Sequence, residues 1–264
     1  MHTNKKGKIY VYSGTGNCYA AARQIAQALD FDVIHLTNEL SEEKTNIITH
    51  AAVIIYPTYA YGMPFTVKRF ILNNTFNVDY LAVLTTFGSR HGGALAEAIR
   101  LFRKRKQKTH YTMGIKAVEN YVHFFGHVKQ KTSDKRTTMQ KQKTDKIITD
   151  IQNKKANRRL RFRPFSTFAA FVGRRGFRIL SKRYKVLDTC NSCGLCKKIC
   201  PAAAITLIPD KNEKSVPVFN HKTCDHCQGC LQLCPQRALK FGRIKPESPR
   251  YKHPDTNLKD LIKR

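Results

Sequence analysis

Eight cysteines between positions 190 and 234 constrain this chain more than anything else in it. They form two runs, Cys190, Cys193, Cys196, Cys200 and Cys224, Cys227, Cys230, Cys234, each reading C-x2-C-x2-C-x3-C-P and closed by Pro201 or Pro235. The second run repeats the first at an offset of 34 residues, and Thr189/Thr223, Ala204/Ala238 and Ile205/Leu239 keep the same register. A repeat of this kind means two copies of one structural unit. Three thiolates spaced two residues apart on a tight loop can hold three corners of a cubane, and such a loop turns backbone N–H groups inward. The fourth cysteine precedes proline, which favours the first position of a helix, so it is carried away from its own loop. Zinc is the competing reading, but zinc takes four ligands, usually as two separated pairs, and here each run offers three and one. Structural disulfides fit less well still.

The stretch 185–245 resembles the two-cluster bacterial ferredoxins. That resemblance implies that the fourth cysteine of each run serves the other cluster. The ligand sets it implies are Cys190, Cys193, Cys196 and Cys234 for one [4Fe–4S] centre, and Cys224, Cys227, Cys230 and Cys200 for the other.

The first hundred residues read as a different domain. Lys8–Tyr12 is a short apolar run, followed by Ser13-Gly14-Thr15-Gly16-Asn17-Cys18 and a helix former at 19–29. Strand, glycine-rich loop and helix make an anion site, because free N–H groups gather at a helix start. Taken alone, the loop is also compatible with an ordinary strand–helix turn. It is neither a Walker A motif nor G-x-G-x-x-G. Ala51–Tyr56 reads as a buried central strand leading into Thr58, Tyr59, Tyr61 and Gly62. Tyr80–Thr86 reads as another, leading into Phe87, Gly88, His91, Gly92 and Gly93. Two tyrosines on a loop at a strand's carboxyl end suit a flat ring, although they can equally pack on the sheet end.

These three loops resemble those of flavodoxins over residues 7–120. The resemblance implies an FMN site, with phosphate at 13–18, ring contacts at Thr58, Tyr59, Tyr61 and Gly62, and a third contact at Phe87, Gly88, Gly92 and Gly93. Cys18 stands where the flavodoxin pattern ends on a hydroxyl. A thiol is a weaker donor, and its place at a helix N-terminus predicts a lowered pKa and leaves a redox role open, but the favoured reading is a tolerated small residue. His91 is expected to be an exposed loop residue.

The expected fold is therefore α/β: a flavodoxin-like doubly wound parallel sheet at 1–160, a basic aromatic linker at 161–184, a small α+β ferredoxin domain at 185–245 and a tail at 246–264. Further expectations are a strand at 109–115, a polar basic loop at 129–143, a helix at 145–157 and a terminal helical turn near 258–262. Residues 117–127 carry aromatics and histidines with no evident role.

The net charge of +30 is uneven: +2 over residues 1–100, +21 over 101–186 and +7 over 187–264. Within 158–185, arginines and lysines alternate with Phe162, Phe165, Phe168, Phe171 and Phe177. Three readings stay open there: a linker whose phenylalanines pack between domains, a surface for an anionic membrane or acidic protein, and a nucleic-acid contact. The small charge surplus elsewhere disfavours the last. Reduced thiols and oxygen-sensitive clusters point to the cytoplasm, with peripheral contact at the inner face of the membrane as the companion expectation.

A flavodoxin-like domain joined to a two-cluster ferredoxin domain resembles the EFR1-type ferredoxin family of anaerobic prokaryotes. The resemblance implies the fold and electron transfer; the two kinds of cofactor suggest transfer between FMN and two [4Fe–4S] clusters, and the basic surplus suggests a redox partner protein with an acidic surface. No nicotinamide fingerprint is visible and no catalytic residue is assigned, so a carrier or reductase component is favoured. The alternatives are a flavin-dependent oxidoreductase acting on a quinone or organic substrate, and a metal-bearing nucleic-acid-binding protein.

Overall fold

A computed structural model describes residues 6–40, 45–122, 126–157, 170, 172–173, 176–177, 179–211, 213–242 and 244–262. Five parallel strands form one sheet: β1 (Lys8–Val11), β2 (Asp32–His35), β3 (Asn46–Pro57), β4 (Thr75–Phe87) and β5 (Tyr111–Lys116). Their order is β2-β1-β3-β4-β5, the flavodoxin-like doubly wound order. The order reverses between β1 and β3, which opens a crevice at the carboxyl ends of those two strands.

Strand alternation splits the core into two layers. Tyr10, Ile54 and Val83 face α2 (Phe65–Asn73) and α3 (Ala94–Lys104), where Val67, Phe70, Ala98 and Phe102 cover them. Ile9, Val11, Val53 and Leu84 face α1 (Asn17–Leu29) and α4 (Gln130–Gln152), meeting Ala21, Ile25, Ile147 and Ile151. β3 and β4 start about five residues earlier than their apolar runs, because their first residues alternate and bury only one face.

The expected loop at 129–143 is helix. It is the first half of the 23-residue α4, and the helix expected from 145 ends at Gln152. Periodicity is present there but polar: Ser133, Thr137, Gln140 and Thr144 recur at helical spacing and are buried. Two of them make side-chain hydrogen bonds. Gln140 Nε2 donates to the Asn17 carbonyl at 2.9 Å, and Thr144 Oγ1 donates to the Gln140 carbonyl at 2.8 Å.

The small C-terminal domain has two antiparallel pairs, β6 (Tyr184–Val186) with β9 (Leu239–Phe241), and β7 (Ile205–Pro209) with β8 (Ser215–Phe219). Its short helices α5 (Leu195–Lys198) and α6 (Gly229–Gln232) follow the two cysteine loops. The sequence repeat is also a backbone repeat. Positive φ recurs 34 residues apart at Ser192 and His226 (59° and 58°), Gly194 and Gln228 (69° and 58°), and Ala203 and Arg237 (49° and 49°). The amides of Ala204 and Ala238 donate to Cys200 Sγ and Cys234 Sγ at 3.3 and 3.4 Å.

The stripe Phe162, Phe165, Phe168 and Phe171 lies outside the described residues. Among those described, residues 170, 172–173, 176–177 and 179–181 are helical. No helix of the described residues is long and apolar enough to cross a membrane.

The two domains are pinned together by Asp225, between the first two cysteines of the second run. Its buried carboxylate accepts from the amides of Phe65 and Thr66 at the start of α2, at 2.7 and 3.2 Å, and from Tyr12 Oη at 2.9 Å. Burial raises the carboxyl's pKa, and these donors oppose the rise. An acid at a helix N-terminus is favoured by both the dipole and the unused amides. Asp225→Ala leaves three buried donors without an acceptor and is expected to cost about 3 kcal/mol in anaerobic denaturant unfolding. A change below about 0.5 kcal/mol would show that this contact carries no weight in domain docking.

Candidate functional site

Four loops at the carboxyl ends of β1, β3, β4 and β5 surround a cavity of about 660 Å³. It lies in the crevice that the strand order creates and falls within the usual range for small-molecule sites. Ser13, Gly14, Thr15, Asn17 and Cys18 line it from the first loop; Thr58, Tyr59 and Tyr61 from the second; Phe87 and Gly88 from the third. Gly16, Gly62, Gly92 and Gly93 do not line it. Gly62 pairs with Tyr59 in a tight turn, Gly93 N donates to the Tyr61 carbonyl at 2.8 Å, and Gly92 lies against the Tyr61 backbone. These three glycines shape the turn that presents Tyr61.

The first loop gathers backbone amides at the start of α1. Gly16 adopts φ 105° as the cap of α1, a left-handed conformation that glycine takes without strain. Ser13 Oγ accepts from the amides of Gly16 and Tyr19 at 3.2 and 3.4 Å. The amides of Asn17 and Cys18 are helix-start donors that α1 cannot satisfy itself.

Cys18 corrects one expectation. Its thiol is not activated by the helix terminus: burial pushes it up to about 12. Its sulfur lies 3.1 Å from Thr86 Oγ1, within the sheet core. Full desolvation of a thiolate outweighs the helix dipole. Tyr59 is half-buried with its ring 6.3 Å from that of Tyr12, whereas Tyr61 is 49% exposed at the mouth. His91, expected to be exposed, is half-buried with its ring 5.5 Å from Phe87.

Three parts of the site carried no legible signal. The loop 117–121 forms the fourth wall, with Asn120 Nδ2 donating to Thr15 Oγ1 and Asn17 Nδ2 donating to the Val118 carbonyl at 2.9 Å. Val172, Gly173, Gly176, Phe177 and Leu180, from the basic aromatic segment, cover the cavity. The tail lies behind the first loop: Tyr251 Oη donates to Asn17 Oδ1 at 2.6 Å, and His253 N donates to the Thr15 carbonyl at 2.9 Å. Each is a tertiary contact made by residues whose local spacing is featureless. The polar run Glu119-Asn120 beside aromatics was the nearest thing to a hint.

The cysteines surround two further cavities. Cys190, Cys193, Cys196 and Cys234 line one, and Cys200, Cys224 and Cys227 line the other, with Cys230 reaching both. Among the described residues, no three His, Cys, Asp or Glu side chains close on a single ion. Backbone amides of Lys197, His226 and Gly229 donate to Cys196, Cys224 and Cys227, opposing the upward push of burial on each thiol.

The second cysteine loop touches the first loop of the cavity. A Cβ placed on Gly14 would stand 3.0 Å from Cys227 Cβ and 3.2 Å from Cys227 Sγ, and one on Gly229 would stand 2.7 Å from the Gly14 carbonyl oxygen. Two glycines therefore permit an approach that side chains would block. Beside this contact, His226 stacks on Phe177 at 5.3 Å, and its Nδ1 lies 3.1 Å from Tyr121 Oη. Tyr121 and Phe177 are both cavity residues.

Glu119 is the cavity's acidic side chain, and burial raises its pKa despite the opposing amides of Tyr121 and Asn120 and the charge of Arg136. A carboxyl whose folded pKa exceeds its unfolded value lends stability at low pH, and that stability is lost as pH rises through the folded pKa. Glu119→Gln cannot ionise. Its melting temperature is expected to gain on the parent between about pH 4 and pH 7. Melts showing a constant offset across that window would contradict the assignment.

Residues 189–238 match the family described as 4Fe-4S dicluster domain. No curated protein matches the chain. Among solved structures, a protein of Bacteroides uniformis assigned as a flavoprotein aligns at 15% identity and TM-score 0.37, covering 53% of this chain and 98% of its own. The Trp repressor binding protein of Bacillus subtilis aligns at 15% and 0.32, covering 44% and 85%. The Flv1 flavodiiron core of Synechocystis aligns at 16% and 0.30, covering 55% and 37%. These likenesses are loose, and the fold of the first domain is established by its own strand order. The C-terminal domain is a 4Fe–4S dicluster domain whose cofactors are two [4Fe–4S] clusters, and the chain has a redox, electron-transfer role.

Proposed function

We propose that the protein passes electrons between FMN in the 660 Å³ cavity and the two clusters, and from the outer cluster to a partner protein, a reading in keeping with its resemblance to the EFR1-type ferredoxins. One observation carries the proposal: Gly14 lines the cavity and is in contact with Cys227. FMN, when bound, takes up electrons in pairs and gives them up singly, and each [4Fe–4S] cluster carries one.

The chain's residues have separate duties in this scheme. The cradle holds the phosphate through the amides of Asn17 and Cys18. Ser13 adds a donor, because its oxygen already accepts two N–H bonds and its hydrogen is left over. Tyr59, Phe87 and Phe177 supply apolar walls that keep water from the ring. Cys200, Cys224, Cys227 and Cys230 hold the inner cluster against the cradle. Cys190, Cys193, Cys196 and Cys234 hold the outer one. Cys193 is exposed, and so are Lys197 and Lys198 beside it. That exit fits an acidic redox protein, drawn by opposite charge.

Anaerobically purified protein is expected to hold roughly eight irons and about one FMN per chain. Reduced flavin should be reoxidised by the clusters on mixing. Cys227→Ala should stop that reoxidation, whereas Cys193→Ala should preserve it and block delivery to an acceptor protein. Gly14→Val should keep both cofactors but slow internal transfer, by pushing the 224–230 loop outward. Zinc in place of iron, or flavin reoxidation indifferent to Cys227, would defeat the proposal.

A further inference from the structure

The cavity mouth has a rim that is apolar and basic. Tyr61 and Val172 line the cavity yet are 49% and 52% exposed. They come from two segments that meet where a Cβ on Gly173 would lie 2.6 Å from Ala60 Cβ. Ile179 follows in the same segment, where residues 172–173, 176–177 and 179–181 are helical. At 67% it is the most exposed large apolar side chain among the described residues. Arg90, also at the cavity, is exposed, as are Lys182, Arg183 and Lys185. Among the described residues, none of these four cations forms a salt bridge. Residues 158–186 contain ten basic and no acidic side chains.

We infer that this rim docks on an anionic lipid bilayer, with Val172 and Ile179 entering the headgroup–acyl boundary and the basic residues meeting lipid phosphates. Two features favour lipid over an acidic protein. Exposed aliphatic side chains gain from a hydrocarbon phase that needs no matching groove, and basic residues close to them in the chain gain from anionic headgroups. Tyrosine at such a rim suits the headgroup level. Docking would turn the cavity mouth to the membrane and leave the exit at Cys193, in the other domain, for the soluble partner. The surface is defined without reference to either cofactor.

The experiment is sedimentation of the full chain, kept anaerobic, with vesicles of phosphatidylcholine alone or with one third phosphatidylglycerol. The parent is expected to bind the anionic vesicles and to ignore the neutral ones. Ile179→Glu and the double variant Lys182→Glu/Arg183→Glu should each weaken binding about tenfold, with iron and flavin content unchanged. Three results would overturn the inference: no partition into anionic vesicles, vesicle binding indifferent to Ile179→Glu, or retention on polyglutamate that matches vesicle binding and ignores Ile179→Glu. The last would assign the surface to an acidic protein.

Discussion

The close approach of Gly14 to Cys227 is the constraint on which the rest of this molecule depends. It places the second cysteine loop against the glycine-rich loop after β1 with no side chain between them. Electron transfer weakens steeply with distance, so a contact of this kind matters more than any single residue in either domain. It also has a cost. Two backbones meet where neither can donate to the other, and something must hold them there. Asp225 does so by spending a buried carboxylate on the first turn of α2 and on Tyr12. The charge is tolerable because every donor around it is already aimed inward.

The same economy recurs around the cavity. Gln140 reaches from α4 to the Asn17 carbonyl, Asn120 to Thr15, and Tyr251 to the Asn17 side chain. Three segments far apart in sequence thus hold one six-residue loop. The tail belongs to this work, although it follows the ferredoxin domain in the chain. Arg23 strengthens that link by donating to the Asp255 carbonyl. The consequence is a site assembled by both domains, in which the cradle cannot be displaced without disturbing the cluster loop, and the reverse.

Much of the fold was legible in the sequence because its signals were local. The central strands showed as apolar runs and α1 as a helix former behind a glycine-rich loop. α4 was misread because its buried face is made of serine, threonine and glutamine, residues whose periodicity does not register as hydrophobic. Of the reading of Cys18, only the lowered pKa fails, for a related reason. A helix N-terminus is visible in sequence, but the depth at which Thr86 and the sheet bury the thiol is not.

The sequence by itself determined the cysteine repeat, the two domain types and the glycine-rich loop after β1, because each depends on spacing within a few residues. Only the tertiary structure decided which cysteine loop faces the cavity, that loop 117–121 and residues 172–180 complete its walls, and that the tail supports it. The two cysteine runs are nearly identical in pattern, so nothing local could distinguish the inner from the outer. Asp225 makes the difference: its counterpart 34 residues earlier is Asn191, which is exposed, and only the aspartate finds a helix start to cap.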